Sequence, residues 1–117
     1  MRTIIAGSRS CDNWQDVCDV IELSGFIPTL VLSGKAKGAD SMGEYWAKRN
    51  SIPIQEYPAD WGSYGRGAGF KRNIQMAKNA DALIAVWDGV SRGTKHMIDT
   101  AKALGLKVFI YNIGEFE

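Results

Sequence analysis

The chain alternates short apolar runs with longer stretches in which apolar residues recur every three or four positions. Short runs rich in β-branched residues predict strands, and the longer period predicts amphipathic helices. The apolar runs predict five strands, at residues 2–6, 29–32, 53–57, 81–87 and 107–111. The periodic stretches predict four helices, at residues 13–24, 39–49, 68–79 and 94–104. Strands and helices therefore alternate along the chain.

This alternation predicts an α/β fold with one parallel sheet, because right-handed crossovers place the connecting helices on both faces. The segments "TIIA" (3–6), "LVL" (30–32) and "LIAVW" (83–87) are apolar throughout, as expected of strands that are buried on both faces. Pro53 at the start of the third strand favours an edge position. We expect a three-layer, doubly wound, five-stranded parallel sheet of strand order 3-2-1-4-5, formed by residues 1–117 as one domain.

Composition and charge narrow the function classes. A hydrophobic content of 45% and a charged content of 23% are typical of a globular protein. The formal net charge of +1 provides no general attraction to nucleic acid or anionic lipid, which argues against nucleic acid as a partner. No run approaches the ~18 apolar residues of a membrane span, and the opening "MRTIIAGSRS" does not resemble a signal peptide. We expect a cytoplasmic protein that does not bind membranes.

The cysteine and histidine content predicts neither a disulfide nor a metal site. Cys11 and Cys18 are seven residues apart, which is beyond disulfide reach along a helix, so we expect both thiols to be reduced. His96 is the single histidine of the sequence and no Cys-x-x-Cys pair occurs, which argues against zinc. We therefore predict no metal and no resident cofactor.

Cations concentrate where a ligand is expected. In open α/β sheets, ligands bind beyond the carboxyl ends of the strands, at the point where the strand order reverses. The loops that reach this edge are residues 7–10, 33–40, 58–69 and 88–94. Eight of the 14 lysines and arginines lie in or beside them: Arg9, Lys35, Lys37, Arg66, Lys71, Arg72, Arg92 and Lys95. Because helix N-termini at the same edge add free N–H groups and positive potential, the sequence predicts an anion site.

Two of these loops suggest how an anionic ligand is held. The loop "DGVSRGT" (88–94) combines glycines and hydroxyls in a manner suited to phosphate, although its order Gly93-Thr94-Lys95 differs from the Gly-Lys-Ser/Thr of a Walker loop. The connection at 57–73 is long for so small a domain, and long loops are usually functional. Its Trp61 and Tyr64 could stack on a base, whereas Trp61 could equally be a core residue.

The acidic side chains near this edge leave more than one interpretation open. Asp40 is either an N-cap of its helix or a ligand for a ribose hydroxyl, and Glu44 lies one turn further on. Arg72, Asp40 and Glu44 are the candidate catalytic residues, none of them decisive alone. His96 is either an acid/base group or a solvated helix residue.

Four motifs in fixed order carry a resemblance to a known family. They are Ala-Gly-Ser-Arg (6–9), Ser-Gly-x-x-x-Gly-Ala-Asp (33–40), Arg-Asn-x-x-Met-Ala (72–77) and Ser-x-Gly-Thr (91–94). Together they resemble the SLOG superfamily, and within it the small YspA/YpsA-like proteins of bacteria and their phages. The resemblance implies a Rossmann-like domain that binds nucleotides or nucleotide-derived small molecules, and that forms homodimers or larger homo-oligomers.

The resemblance also bears on catalysis. The LOG-type phosphoribohydrolases of this superfamily cleave the N-glycosidic bond of a nucleoside monophosphate. They use an arginine ahead of Met-Ala and a glutamate in Pro-Gly-Gly-x-Gly-Thr-x-x-Glu. Arg72 matches the arginine, but Met97 stands at the glutamate position. Because methionine cannot stabilise an oxocarbenium-like transition state or position water, we expect LOG-type hydrolysis to be lost and phosphate binding to be kept.

The leading expectation is therefore a binding protein that senses or sequesters a nucleotide signal. The alternative is a nucleotide hydrolase with rearranged carboxylates, and single-stranded DNA binding as in the distant DprA relatives is a third class. The residues expected to bind the ligand and its phosphate are Gly7, Ser8, Arg9, Ser33, Gly34, Gly38, Asp40, Trp61, Arg72, Asn73, Asp88, Gly89, Ser91, Arg92, Gly93 and Thr94.

Overall fold

The protein is built around one parallel sheet. The computed structural model describes residues 1–113. Its strands are β1 (Arg2–Gly7), β2 (Leu30–Ser33), β3 (Ile54–Glu56), β4 (Ala82–Trp87) and β5 (Lys107–Asn112). All neighbouring pairs are parallel and the order is β3-β2-β1-β4-β5. This confirms the predicted Rossmann-like α/β fold and strand order.

Helices connect the strands and cover both faces of the sheet. They are α1 (Trp14–Ser24), α2 (Ala39–Arg49), α3 (Trp61–Tyr64), α4 (Ala68–Lys78) and α5 (Arg92–Ala103). The four long helices lie within two residues of their predicted bounds. The short α3 and the 3₁₀ turn that follows it at Gly65–Gly67 were not predicted. A four-residue helix is too short to show a period; here the Asp60 side chain caps it by accepting from the Ser63 N–H at 3.1 Å.

Two apolar clusters hold the three layers together. On one face Ile4, Leu83 and their neighbours pack against α4 and α5, and on the other Ile5, Ile84 and their neighbours pack against α1 and α2. Each of these four strand residues is fully buried. The alternation of consecutive residues between faces follows from the two-residue period of a strand. Within residues 1–113, no helix is both long and apolar enough to cross a membrane.

The first helical turns of α2 approach the centre of the sheet so closely that side chains are excluded there. A Cβ on Gly43 would lie 2.6 Å from Ile5 Cγ2, and a Cβ on Gly7 would lie 2.1 Å from the Val86 carbonyl oxygen and 2.8 Å from Ala39 Cβ. All three distances are shorter than van der Waals contact. The glycines therefore allow the loops after β1 and β2 to meet at one edge of the sheet.

Gly43→Ala tests this close approach. Alanine has the better helix propensity by about 1 kcal/mol, but the added methyl would meet branch carbons of Ile5 that cannot move without shifting β1. Because overpacking typically costs about 1–3 kcal/mol, we expect a net loss of unfolding free energy in urea denaturation. Gly67→Ala is the matched control, since nothing lies within 4 Å of its added Cβ. Equal stability of the two variants would contradict the packing argument.

Candidate functional site

A cavity of about 550 Å³ opens at the carboxyl end of the sheet, beside the ends of β1 and β2. All four loops that the sequence placed at this edge contribute to its wall. Ten of the expected ligand-binding residues line it: Gly7, Arg9, Gly34, Asp40, Trp61, Arg72, Asn73, Ser91, Gly93 and Thr94. The fold therefore brings together residues that are up to 87 positions apart in the chain (7 to 94).

The other expected residues lie outside the cavity wall. They are Ser8, Ser33, Gly38, Asp88, Gly89 and Arg92, together with the candidate catalytic residue Glu44. Among the eight cations grouped at this edge by the sequence, Arg9, Lys35, Lys37, Arg66 and Arg72 line the cavity, whereas Lys71, Arg92 and Lys95 do not. Contact between any of these residues and a ligand stays a prediction.

Arg72 is fixed in the cavity wall by two neighbours. Its Nε donates to Asn73 Oδ1 at 3.0 Å, and its Nη1 donates to the carbonyl oxygen of Gly34. A guanidinium has five N–H donors, so three remain for other partners. Partial burial lowers the pKa of Arg72, and the nearby Asp40 opposes that shift. Arg72 thus presents oriented donors that lose little side-chain entropy when an anion binds.

Asp40 lies beside Arg72 in the same wall. Its side chain is buried, and Oδ2 accepts from the Ala36 N–H at 3.5 Å. Burial raises the pKa of Asp40 to about 6, although Arg72 and the N–H groups of Ala36, Gly7 and Gly34 favour the ionised form. Desolvation of a carboxylate disfavours its charge. The cavity therefore contains a carboxyl group that changes its charge close to neutral pH.

Gly34 lies beside both the arginine and the carboxylate. A Cβ at this position would lie 2.5 Å from Arg72 Nη1 and 2.9 Å from Asp40 Oδ2. A side chain on residue 34 would therefore displace one of these two groups. The glycine of the Ser-Gly motif allows the two charged groups to lie next to each other, which is a steric requirement rather than a requirement for a special φ angle.

The loop before α5 uses most of its polar groups on itself. Asp88 Oδ1 accepts from the N–H groups of Val90 and Ser91 at 2.9 and 2.8 Å. Ser91 is the N-cap of α5 and its Oγ accepts from the Thr94 N–H at 3.4 Å. Ser8 Oγ accepts from the Asp88 N–H at 3.1 Å. Asp88 and Ser8 thus shape the loop, and Ser91, Gly93 and Thr94 are the residues that reach the cavity.

Glu44 does not line the cavity but forms an ion-pair network with Lys35, which does. Ser33 Oγ donates to Glu44 Oε2 at 2.5 Å, and Lys35 Nζ lies 3.0 Å from Glu44 Oε1 and 3.1 Å from Glu56 Oε2. Lys35 adopts φ 61°, which is uncommon for a residue with a side chain. The hydrogen bond that Lys35 donates to Glu44 is the main cause of the raised pKa of Lys35. This network fixes the conformation of the β2–α2 loop next to Gly34.

The floor of the cavity is apolar and its mouth is aromatic. Met76 and Met97 are almost fully buried and line the cavity with Ala6. At the mouth, Trp61 is 57% exposed, which decides between the two interpretations of this residue: it is not part of the core. Phe70 also lines the mouth and stacks on His96 with ring centroids 4.2 Å apart.

His96 and Tyr64, two other residues considered from the sequence, do not line the cavity. His96 Nδ1 lies 3.2 Å from Asn73 Nδ2, and burial lowers the pKa of His96. An amide NH₂ can only donate, so this Nδ1 is the acceptor and the neutral ring is favoured. The Tyr64 ring packs under Lys71 Nζ at 4.6 Å. His96 therefore supports Asn73, which in turn holds Arg72.

Sequence reasoning missed several lining residues. These are Ala6, Lys35, Ala36, Lys37, Pro58, Ala59, Arg66, Gly69, Phe70, Met76 and Met97, of which the three cations were grouped at this edge but not named as contacts. Phe70 follows the apolar stripe of α4 although it is 46% exposed. A buried methionine at the end of a sheet has the same pattern in a core and in a cavity floor, so the sequence carried no signal for Met76 or Met97.

The fold and cavity define a Rossmann-like domain with a basic pocket at the strand ends, and comparison with known proteins identifies its family. The model of the "YspA, cpYpsA-related SLOG family" matches residues 1–64. The chain is also 32% identical to the "Gene 61 protein" of Mycobacterium phage D29, over 97% of each chain. The chain therefore belongs to the YspA, cpYpsA-related SLOG family. No solved structure matches it significantly. Membership of this family indicates a role in binding or processing a nucleotide-related ligand.

Asp40→Asn tests the burial of the carboxyl group in this site. The raised pKa means that the folded protein binds a proton more tightly than the unfolded chain, so stability falls as pH rises from about 4 through 6 and is then constant. A shift from 3.8 to about 6 corresponds to about 3 kcal/mol. We expect Asp40→Asn to gain about this amount of unfolding free energy relative to the wild type between pH 4 and pH 8. Urea titrations at the two pH values measure the difference. A pH-independent difference would show that Asp40 titrates normally.

Proposed function

We propose that this protein binds a nucleotide or a nucleotide-derived small molecule in the cavity, and so senses or sequesters a nucleotide signal. The observation that carries the proposal is Arg72, which lines the cavity and is held in place by Asn73 and by the Gly34 carbonyl oxygen. A guanidinium matches the geometry of a phosphate and binds it through paired hydrogen bonds. An arginine held in this way without a carboxylate paired to it within 4 Å among residues 1–113 is suited to an anion from outside the protein.

The surroundings of Arg72 support the same ligand class. Arg9, Lys37 and Arg66 add three further cations to the wall, in a chain whose formal net charge is only +1. Gly93 and Thr94 bring the first turn of α5 to the cavity, and helix N-termini favour phosphate. At the mouth, the exposed face of Trp61 is suited to stacking on a base. Phosphate and base are thus each matched by a different part of the cavity.

The second candidate is a nucleotide hydrolase, which Asp40 favours. Its pKa of about 6 lies near the range in which a carboxyl group can act as general acid, and Arg72 is adjacent. Met97 stands at the position of the LOG-type glutamate and lines the cavity, so Asp40 would have to act without a second carboxylate among the described lining residues. Incubation with nucleoside monophosphates and chromatography for free base decides this candidate, and no release at high protein concentration excludes it.

Arg72→Ala is expected to weaken nucleotide binding by about 10–100-fold, because a hydrogen bond to a charged group contributes about 1.5–3 kcal/mol. Isothermal titration of the wild type and variant against nucleoside phosphates, cyclic nucleotides and ADP-ribose measures the change. Arg49→Ala is the matched control, since Arg49 ends α2 on the side away from the cavity and packs on Tyr45. If none of these compounds binds the wild type below millimolar concentration, the proposed function is wrong.

Gly34→Ala is expected to weaken binding several-fold while keeping every charge. The new methyl would occupy the position next to Arg72 Nη1, and the end of this flexible side chain would move out of its orientation. The loss should be smaller than that of Arg72→Ala, because a displaced guanidinium keeps its Coulomb attraction. Gly67→Ala, which meets nothing within 4 Å, should bind as the wild type does. A wild-type affinity for Gly34→Ala would contradict the orienting role of this glycine.

A further inference from the structure

We propose that His96 is a positioning residue for the anion site: its neutral ring holds Asn73, and through it Arg72, in the ligand-binding orientation, and protonation of the ring releases both. The affinity of the site for an anion then falls on acidification. This inference rests on the proposed function and adds its regulation. It follows from a chain of hydrogen bonds that leads from a titratable ring outside the cavity to the guanidinium in the cavity wall.

Asn73 joins His96 to Arg72 through the two ends of its side-chain amide. Its Oδ1 accepts from Arg72 Nε at 3.0 Å. Its Nδ2 lies 3.2 Å from His96 Nδ1 and donates to the Gly93 carbonyl oxygen at 3.3 Å. Asn73 is 5% exposed. Because the NH₂ group has two hydrogens, both of its donors are used within the protein.

This arrangement requires a ring nitrogen without a proton at His96 Nδ1. A half turn of the Asn73 amide would bring its NH₂ against the Arg72 Nε–H, and its oxygen against the Gly93 carbonyl oxygen. Both new contacts would be repulsive, so Arg72 and Gly93 together fix the amide with its NH₂ towards the ring. A ring nitrogen that carries a proton cannot accept from this NH₂.

Protonation of His96 therefore opposes the orientation of Arg72. With a proton on Nδ1, two donors would face each other 3.2 Å apart. Rotation of the Asn73 amide relieves this contact and lets its oxygen accept from the imidazolium, because a charge-assisted hydrogen bond is stronger than the neutral one that it replaces. The rotation breaks the bond to Arg72 Nε and leaves the guanidinium held by the Gly34 carbonyl oxygen. A guanidinium that is less firmly held loses more side-chain entropy when it binds an anion.

The surroundings of His96 keep the ring neutral near neutral pH. It is half-buried and stacks on Phe70 with ring centroids 4.2 Å apart. Burial lowers the pKa of His96 from its ordinary value of 6.5, and Asp99 on the same helix opposes the shift. The charge of Asp99 is in turn paired with Lys95 at 2.7 Å, and Arg72 of α4 faces the ring through Asn73. The ring is thus neutral at pH 7.5 and gains its proton on acidification.

A change of charge alone would act in the opposite direction. An added positive charge on His96 would strengthen the binding of an anion through Coulomb attraction. Protonation of Asp40, whose pKa is about 6, would do the same by removing a negative charge. Release of Arg72 weakens binding instead. The sign of the pH dependence, measured against a variant that has no titratable ring, therefore separates positioning from charge.

The first test measures the affinity for ADP-ribose and for 3′,5′-cyclic AMP by isothermal titration at pH 7.5 and pH 5.0. Each phosphate of these compounds keeps one negative charge over this range, so the ligand itself does not titrate. The wild type is compared with His96→Asn, whose Oδ1 can accept from Asn73 but cannot be protonated there, and with His96→Leu, which has no acceptor. Circular dichroism at both pH values verifies that the variants fold.

At pH 7.5 we expect His96→Asn to bind as the wild type does and His96→Leu to bind about threefold to tenfold more weakly, the range of one neutral hydrogen bond. Between pH 7.5 and pH 5.0, the wild type should lose at least about threefold in affinity relative to His96→Asn. Asp40 is present in all three proteins, so its titration cancels in this ratio.

Nitrogen-15 NMR of the wild type provides a second test that needs no ligand. His96 is the single histidine of the sequence, so its two ring nitrogens are identified without ambiguity. We expect a proton on Nε2 and none on Nδ1 at pH 7.5. The Arg72 Nε–H resonance should shift with the midpoint of the ring titration in the wild type and stay constant in His96→Asn. A proton on Nδ1 at pH 7.5, or a ring that stays neutral down to pH 5.0, overturns the inference.

The outcomes separate this inference from the proposed function. Wild-type affinity of His96→Leu at pH 7.5 overturns the inference and leaves the proposed function standing. The same holds if the affinity of the wild type rises on acidification relative to His96→Asn, since His96 then acts through its charge. If neither ADP-ribose nor cyclic AMP binds the wild type, the inference is wrong, and the proposed function is wrong with it only when the nucleoside phosphates fail to bind as well.

Discussion

The close approach of α2 to the carboxyl ends of β1 and β4 is the constraint on which the site depends. Gly7 and Gly43 leave no room for a side chain between the helix and the sheet. The backbone of Ser8 also connects β4 with α2: its N–H donates to the Val86 carbonyl oxygen at 3.0 Å, and its carbonyl oxygen accepts from the Ala39 N–H at 3.4 Å. The first turn of α2 is thereby held against the sheet. Asp40 is buried at the cavity for this reason.

Burial of Asp40 is unfavourable for the fold by itself. A carboxylate whose pKa is raised to about 6 is destabilising in its ionised form at neutral pH, because the protein compensates only part of its lost hydration. Arg72 could compensate more if the two groups formed a direct ion pair, but they are not paired within 4 Å and Arg72 Nη1 is bound to the Gly34 carbonyl oxygen. Strongly shifted groups in clefts cluster at functional sites. The uncompensated charge therefore argues that this part of the structure serves a ligand rather than stability.

Much of the fold could be predicted from the sequence, because hydrophobic period and strand-to-helix alternation are local signals. The apolar runs that contain Ile4 and Ile84 predicted two central strands, the right-handed crossover predicted a parallel doubly wound sheet, and the favoured strand order is the one observed. The end of the sheet at which the cavity opens followed in the same way. The short α3 could not be predicted, since its formation depends on one side-chain cap by Asp60 and not on a period.

The site was predictable as a set of loops but not as a set of contacts. Asp88 and Ser91 have the residue types expected of a phosphate loop, yet their side chains bind backbone N–H groups of the same loop. Arg92 has the expected charge, but the first turn of α5 places it outside the cavity wall. A motif specifies that polar groups are needed at a junction, and only the three-dimensional structure shows whether they face the backbone or a ligand.

The contrast between polar side chains that bind the loop backbone and those that line the cavity changes how the family motifs are interpreted. In the Ser-x-Gly-Thr and Ala-Gly-Ser-Arg segments, Ser8 and Ser91 use their hydroxyls to build the loop, and the glycines provide close approach. The charged side chains that line the cavity come from other segments, among them Arg72 of α4 and Asp40 of α2. Arg72 is oriented through Asn73 and the Gly34 carbonyl oxygen, so its position depends on a neighbour in α4 and on the β2–α2 loop rather than on the loops that carry these two motifs. Met97 is buried at the position where the resemblance to LOG-type enzymes implies a carboxylate, so the described cavity wall has its cations without that acidic group.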